Sequence, residues 1–227
     1  MENAVIMGDS IFKGVLLDPD QKRYYVSREL DWKAIESDFG VTIKNLSKMG
    51  CRTSHALNIL KNYLDANEKP NFIVIELGGN DSDYDWKTVA KSPSRDYLPF
   101  TPPEEFQENY RNLIRLAKQY ADKVLLVNLP PVDEKRYFEW IAGNCESREN
   151  ILYFLGNDIG RIYRDQEMYS ERIGKLANEF GCELVDIRYA FLKRGDFQSL
   201  MCRDGIHPNS DGHKEIIKAF GNELAVY

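Results

Sequence analysis

The chain is short of the residues that would announce a staple, a metal or a membrane. Its four cysteines, Cys51, Cys145, Cys182 and Cys202, contain no CxxC pair, so neither zinc spacing nor a disulfide framework is indicated. At 227 residues the chain can bury a core without either, and we read the four as reduced thiols. No apolar run approaches the roughly 18 residues of a membrane span, and the mean hydropathy is −0.50; a soluble chain is expected. There is no basic n-region followed by a long apolar stretch either. Met1, Glu2 and Asn3 lead straight into Ala4 to Met7, and a cytoplasmic location is the expectation. In such a compartment the sequon Asn45, Leu46, Ser47 carries no meaning. Basic clusters are missing too. The 30 Lys and Arg are interspersed among 36 Asp and Glu, giving a net charge of −6, the wrong balance for phosphate contacts, so neither nucleic acid nor membrane is an expected partner. GxGxxG and GxxxxGK(S/T) are both absent, which lowers the nucleotide reading. No repeat, low-complexity stretch or linker divides the chain, so residues 1–227 read as one domain.

What the chain does have is alternation. Five short apolar runs, Ala4 to Met7, Val41 to Ile43, Phe72 to Ile75, Val124 to Leu129 and Leu184 to Ile187, have the length and the Val, Ile and Leu content of buried strands. Between them lie three helical faces: Ala56, Ile59, Leu60, Tyr63 and Leu64; Phe106, Tyr110, Leu113, Ile114 and Ala117; and Tyr169, Ile173, Leu176, Ala177 and Phe180. Thr101, Pro102, Pro103 and Glu104 read as an N-cap, a first-turn proline and a capping-box acid, and Gly181 stands where a helix ends. Strands alternating with helices predict an α/β fold with a mainly parallel sheet covered on both faces. Ligands of such sheets sit beyond the carboxyl ends of the strands. Two connections, 81–101 and 130–164, are too long for plain crossovers and read as inserted loops of the kind that form lids or binding sites.

Polar residues gather at those strand ends. Gly8, Asp9 and Ser10 follow the first strand, which puts a hydroxyl at the sheet edge and lets Gly8 turn the chain tightly into a following helix. By itself this is an ordinary turn or cap. A serine nucleophile needs a base, and the chain has only three histidines. His207 lies in a Gly- and Pro-punctuated loop three residues after Asp204, a spacing that can bring the carboxylate to Nδ1 and leave Nε2 for Ser10. His55 and His213 read as helix residues. Gly78, Gly79, Asn80 and Asp81 follow the third strand, and the Asn80 amide can face an oxyanion or simply make a turn. Gly50 stands before the helix that starts near Thr53, its N–H open to a ligand. Asp81, Asp83 and Asp85 alternate as in a calcium loop, but Trp86 and Ser92 occupy the positions that need Gly and Glu, so no metal is expected there.

Taken in order, Gly8-Asp9-Ser10, Gly50, Gly78 to Asp81 and Asp204 to His207 resemble the motifs of the SGNH hydrolases, the GDSL-type esterases and lipases, over residues 8 to about 212. One departure is Ile11 where the name-giving motif has Leu. The resemblance implies a three-layer α/β/α sandwich, flavodoxin-like, with a five-stranded mainly parallel sheet ordered 2-1-3-4-5. It also implies Ser10 as nucleophile, His207 as base and Asp204 as its orienting acid, with the Ser10 and Gly50 N–H groups and the Asn80 side chain as oxyanion hole. The implied activity is that of a serine esterase acting on a small-molecule ester without metal or organic cofactor, Asp9 bracing the turn. Carbohydrate O-acetyl esterase, lysophospholipase and thioesterase stay open as narrower readings. So do a catalytically silent binding module, a flavodoxin-like nucleotide binder and homo-oligomerisation. Tyr84, Trp86, Tyr137, Phe138 and Trp140 in the two long connections either line a substrate pocket or pack the insertions.

Overall fold

The computed structural model describes residues 2–18, 20, 22–27 and 32–224. Strand β1 (Glu2–Gly8) is followed by a short antiparallel hairpin, β2 (Val15–Leu17) and β3 (Tyr24–Val26), then by helix α1 (Trp32–Phe39) and β4 (Val41–Asn45). Helix α2 (Thr53–Ala66) leads to β5 (Phe72–Glu76), and α3 (Trp86–Lys91) and α4 (Pro103–Tyr120) precede β6 (Lys123–Val127). After α5 (Glu134–Ala142), α6 (Arg148–Leu155) and the long α7 (Gly160–Phe180) comes β7 (Glu183–Val185). The chain finishes with α8 (Ile187–Leu192), a 3₁₀ turn (Phe197–Leu200) and α9 (Ser210–Leu224).

The central sheet is parallel throughout and ordered β4-β1-β5-β6-β7. Because the β2–β3 hairpin stands apart, this is the expected 2-1-3-4-5 order of the five sheet strands. Ala4 pairs with Ile43 on one side and Phe72 on the other, so β1 is central and its end opens among several strand ends. Side chains alternate between the two faces. Val5, Met7, Ile73, Ile75, Val124 and Leu126 pack beneath α2, α4 and α7, while Ile6, Val74, Leu125, Val127 and Val185 pack against α8 and α9. The three helical faces predicted from periodicity are those that bury in this first layer.

Several local expectations are corrected. No helix follows Ser10: residues 10–14 turn back, with Val15 N donating to Ser10 O at 2.9 Å, and enter the hairpin. Gly8 is needed for space instead, since a Cβ there would lie 2.8 Å from both Phe12 Cβ and Ser47 Oγ. Thr101 is not the N-cap. Pro102 holds that position without a side-chain bond, and Thr101 is buried with its N–H on Asp81 O at 3.0 Å. The run Leu184 to Ile187 divides at Asp186, whose carboxylate caps α8 by accepting the Tyr189 N–H at 2.8 Å. Likewise β6 stops at Val127, two residues before the apolar run does. Gly181 does end α7, in the left-handed conformation with φ 60°.

The two long connections are not loops. They contain α3, α5, α6 and the start of α7, and they pack on one another through a third apolar cluster centred on Trp86, Phe138, Ile151 and Phe154. No helix among the described residues is long and apolar enough to cross a membrane. All four cysteines are free.

Candidate active site

At the carboxyl edge of the sheet, Ser10 lies just past the end of β1, Gly50 beyond β4 and Asn80 beyond β5, while Asp204 and His207 arrive on the loop before α9. That loop is tied back on itself by Cys202 N donating to His207 O at 2.8 Å, and to the second insertion by Asp133 N donating to Gly205 O at 2.8 Å. Gly205 makes this approach feasible. Its φ is +76°, and a Cβ there would sit 2.5 Å from Asp133 O.

Ser10 Oγ lies 3.0 Å from His207 Nε2, and His207 Nδ1 lies 2.7 Å from Asp204 Oδ2. The other Asp204 oxygen, Oδ1, accepts the backbone N–H groups of Ile206 and His207, each at 3.1 Å. Burial works to raise the Asp204 pKa, but His207 and the two backbone donors outweigh it and hold the group below the usual carboxylate range. All three side chains are buried. A carboxylate fixed to Nδ1 sets the imidazole tautomer and leaves Nε2 able to take a proton from the hydroxyl.

The expected oxyanion donors are placed as follows. Neither the Ser10 nor the Gly50 N–H donates to an acceptor among the described residues. Gly50 is exposed at the corner of a turn, with φ +71°. Asn80 Nδ2 donates to Asp9 Oδ2 at 2.9 Å and lines the cavity beside Ser10. Asp9 Oδ1 accepts the Ile11 N–H at 2.9 Å, so this carboxylate braces the turn and the Asn80 amide together.

Behind Asp9 lies a second carboxyl. Glu76 ends β5, fully buried, and Glu76 Oε2 accepts the Asp9 N–H at 3.3 Å. Burial and the neighbouring Asp9 charge push the Glu76 pKa well above its ordinary value, and burial raises that of Asp9 to about 6. Both shifts favour the protonated forms, so the pair gives up its protons at higher pH than free carboxyls do.

Tyr84, Trp86 and Tyr137 line the cavity that opens beside Ser10 and His207. They also form the core between the insertions, so the same side chains line the cavity and pack the insertions. Phe138 is buried in that core and does not reach the cavity. Trp140 stands apart, with its ring 6.3 Å from that of Tyr24 and its side chain lining a separate groove with Lys22 and Lys135. The three aspartates of the supposed calcium loop point to different tasks: Asp81 accepts Thr53 Oγ1 at 2.7 Å, Asp83 accepts Trp86 Nε1 and Tyr137 OH, both at 2.7 Å, and Asp85 caps α3. His55 is exposed on α2, and His213 is buried on α9, its Nε2 3.5 Å from Val15 O.

Tyr24 was not foreseen. Its ring centroid is 4.9 Å from that of His207. Burial, followed by the charge of Asp204 and a hydrogen bond to it, raises its phenol pKa. In the sequence it is one tyrosine in a hairpin with no motif; only folding brings it over the histidine.

The chain is 26% identical over 170 residues to the GDSL esterase/lipase CPRD49 of Arabidopsis thaliana, covering 73% of this chain but only 59% of that relative's length. It is 29% identical over 210 residues to esterase TesA of Pseudomonas aeruginosa, covering 91% of this chain and 80% of TesA. The crystal structure of a lipase/acylhydrolase from Enterococcus faecalis superposes with a TM-score of 0.70 at 20% identity, over 99% of this chain and 95% of that one, and so shows the same fold. Residues 6–215 match the model of the GDSL-like Lipase/Acylhydrolase family. With nearly all of its length accounted for in that way, and its strands in that order, this chain belongs to the GDSL-like lipase/acylhydrolase family.

Proposed function

We propose that the protein is a serine esterase that cleaves a carboxylic ester of a small molecule through an acyl-enzyme on Ser10. The observation that carries the reading is the relay from Ser10 Oγ to His207 Nε2 at 3.0 Å and from His207 Nδ1 to Asp204 at 2.7 Å, beside two backbone N–H groups that donate to no acceptor among the described residues. A buried serine, histidine and aspartate aligned in this way are what activates a hydroxyl that is otherwise a poor nucleophile.

In the reaction so assigned, His207 Nε2 takes the Ser10 proton as Oγ forms a bond to the carbonyl carbon. The negative charge that develops on the carbonyl oxygen is met by the Ser10 and Gly50 N–H groups and by the Asn80 amide. Collapse breaks the bond to the alcohol oxygen, which receives the proton from His207. Water then repeats the sequence: His207 removes its proton, the oxygen bonds to the acyl carbon, and Ser10 Oγ leaves with the proton restored. Asp204 stays ionised, orienting the imidazole and stabilising its charge. No step calls for a metal or an organic cofactor.

TesA is named as an esterase and CPRD49 as an esterase/lipase, which supports ester hydrolysis as the class of reaction. Hydrolysis of p-nitrophenyl acetate by the purified protein beside Ser10→Ala, at matched folding, tests it. Activity lost in Ser10→Ala with an unchanged circular dichroism spectrum is expected; equal activity in the two proteins would remove Ser10 from the reaction. A cytoplasmic location belongs to the same proposal, and fractionation of the source cells checks it.

A further inference from the structure

We propose that the cavity beside Ser10 is a small acyl pocket that admits acetyl to butanoyl groups and excludes medium and long chains. This rests on the esterase reading above and names the substrate class of that same site.

Size comes first. The cavity holds about 90 Å³, whereas an apolar cavity of about 150 Å³ accommodates the six carbons of benzene. In proportion, the space takes roughly three or four carbons. Well-packed protein interiors do not yield cheaply to a longer group, because extra methylenes force side chains off their rotamers.

The second observation is that, away from Ser10, Asn80 and His207, the polar side chains of the wall are already bonded to protein. Tyr84 OH donates to Asp165 Oδ2 at 2.8 Å, Tyr137 OH to Asp83 Oδ2 at 2.7 Å, and Gln166 Nε2 to Pro130 O at 2.8 Å. Gln166 Oε1 accepts from Arg188, and Ser82 Oγ donates to Gly79 O at 3.0 Å. Among the described residues, none of the buried polar side-chain atoms left without a partner belongs to this wall. A hydroxyl-bearing group entering here would exchange its bonds to water for side chains whose bonds to protein are already made. The occupant that suits the pocket is a short hydrocarbon chain, which places the acyl part of the ester there and leaves a polar alcohol outside.

Third, the wall is held rigidly. Asp83 fixes Trp86 Nε1 and the Tyr137 hydroxyl at once, and Phe154 backs both Tyr84, at 4.9 Å between ring centroids, and Trp86, at 6.0 Å. An aromatic wall pinned at its polar ends and packed from behind does not swing aside for a longer chain.

The test is a series of p-nitrophenyl esters from acetate to octanoate, each below its micellar concentration, together with acetates of increasingly long alkyl alcohols. For the wild type, kcat/KM should stay high through butanoate and fall at least about 100-fold by octanoate, while lengthening the alcohol of an acetate should give no such break. Trp86→Ala should raise the octanoate-to-acetate ratio at least about tenfold; should that variant fail to fold, Ile162→Ala tests the same wall with a smaller change, and the wild-type series decides on its own. Ser10-dependent cleavage of octanoate as fast as acetate, or a break set by the alcohol, overturns the pocket assignment and leaves the esterase reading standing. No Ser10-dependent ester cleavage in any member overturns both.

Discussion

Asn80 donates a side-chain N–H to Asp9 Oδ2 at 2.9 Å, so the residue immediately before Ser10 fixes the Asn80 amide at the edge of the cavity. The other Asp9 oxygen holds the turn that presents Ser10, through the Ile11 N–H at 2.9 Å. One buried carboxylate thus sets the distance between Ser10 and the Asn80 amide, the nucleophile and oxyanion donor of the proposed reaction. Removing the donor in Asn80→Ala should lower kcat by about 10²- to 10³-fold with the fold intact. Asp9→Asn turns an acceptor into a donor facing a donor and should lower kcat by about tenfold or more. If Asp9 acts through Asn80, the double variant Asp9→Asn/Asn80→Ala will be little worse than Asn80→Ala alone, and additive losses would assign Asp9 a separate role.

Asp204→Asn should keep the backbone bonds at Ile206 and His207, since Oδ1 remains an acceptor, but it offers Nδ1 the wrong partner. A loss of about 10⁴-fold in kcat is expected, from the disfavoured tautomer rather than from unfolding. Steady-state kinetics beside a thermal melt separates the two.

The Asp9–Glu76 pair predicts an unusual dependence of stability on pH. In the unfolded chain both carboxyls ionise near about pH 4. In the folded protein burial raises both pKa values, that of Asp9 to about 6 and that of Glu76 above its ordinary value. The folded state therefore binds more protons than the unfolded state above that point, and stability falls as pH rises through the folded values. Glu76→Gln keeps a neutral side chain in place at all pH values. Its urea midpoint should decline less than that of the wild type between about pH 5 and 8; parallel declines would mean that the pair does not hold the proton.

Phe154 is fully buried, with Tyr84, Trp86 and Tyr97 rings around it and the Arg161 guanidinium 4.5 Å from its ring centroid. Phe154→Ala should cost about 3–5 kcal/mol. Because the lost ring supports the cavity wall rather than the Ser10–His207 contact, a folded variant should lose acyl-chain discrimination while Ser10-dependent turnover persists. Collapse of turnover on every ester in a folded variant would show that the insertions also position the nucleophile.

The sequence by itself determined the five apolar runs that become strands, the three long helices, the strand ends where Ser10 and Asn80 stand and the loop that carries Asp204 and His207, because each is a local property. Apolar runs and helical faces repeat with fixed periods, and His207 follows Asp204 within one turn of chain. What folding alone decided are relations between segments far apart. The insertions read as loops because their helices, such as the six residues of Trp86–Lys91, are too short to show a period, and they are held by packing on each other. Leu184 to Ile187 read as one strand since burial alone does not tell a strand from a helix start, and the Asp186 cap makes the division. Tyr24 over His207, Glu76 beneath Asp9 and the separation of Trp140 from the Ser10 cavity carry no sequence signal. Each depends on distances set when strands and hairpin close around a common core, and no spacing along the chain encodes such a distance.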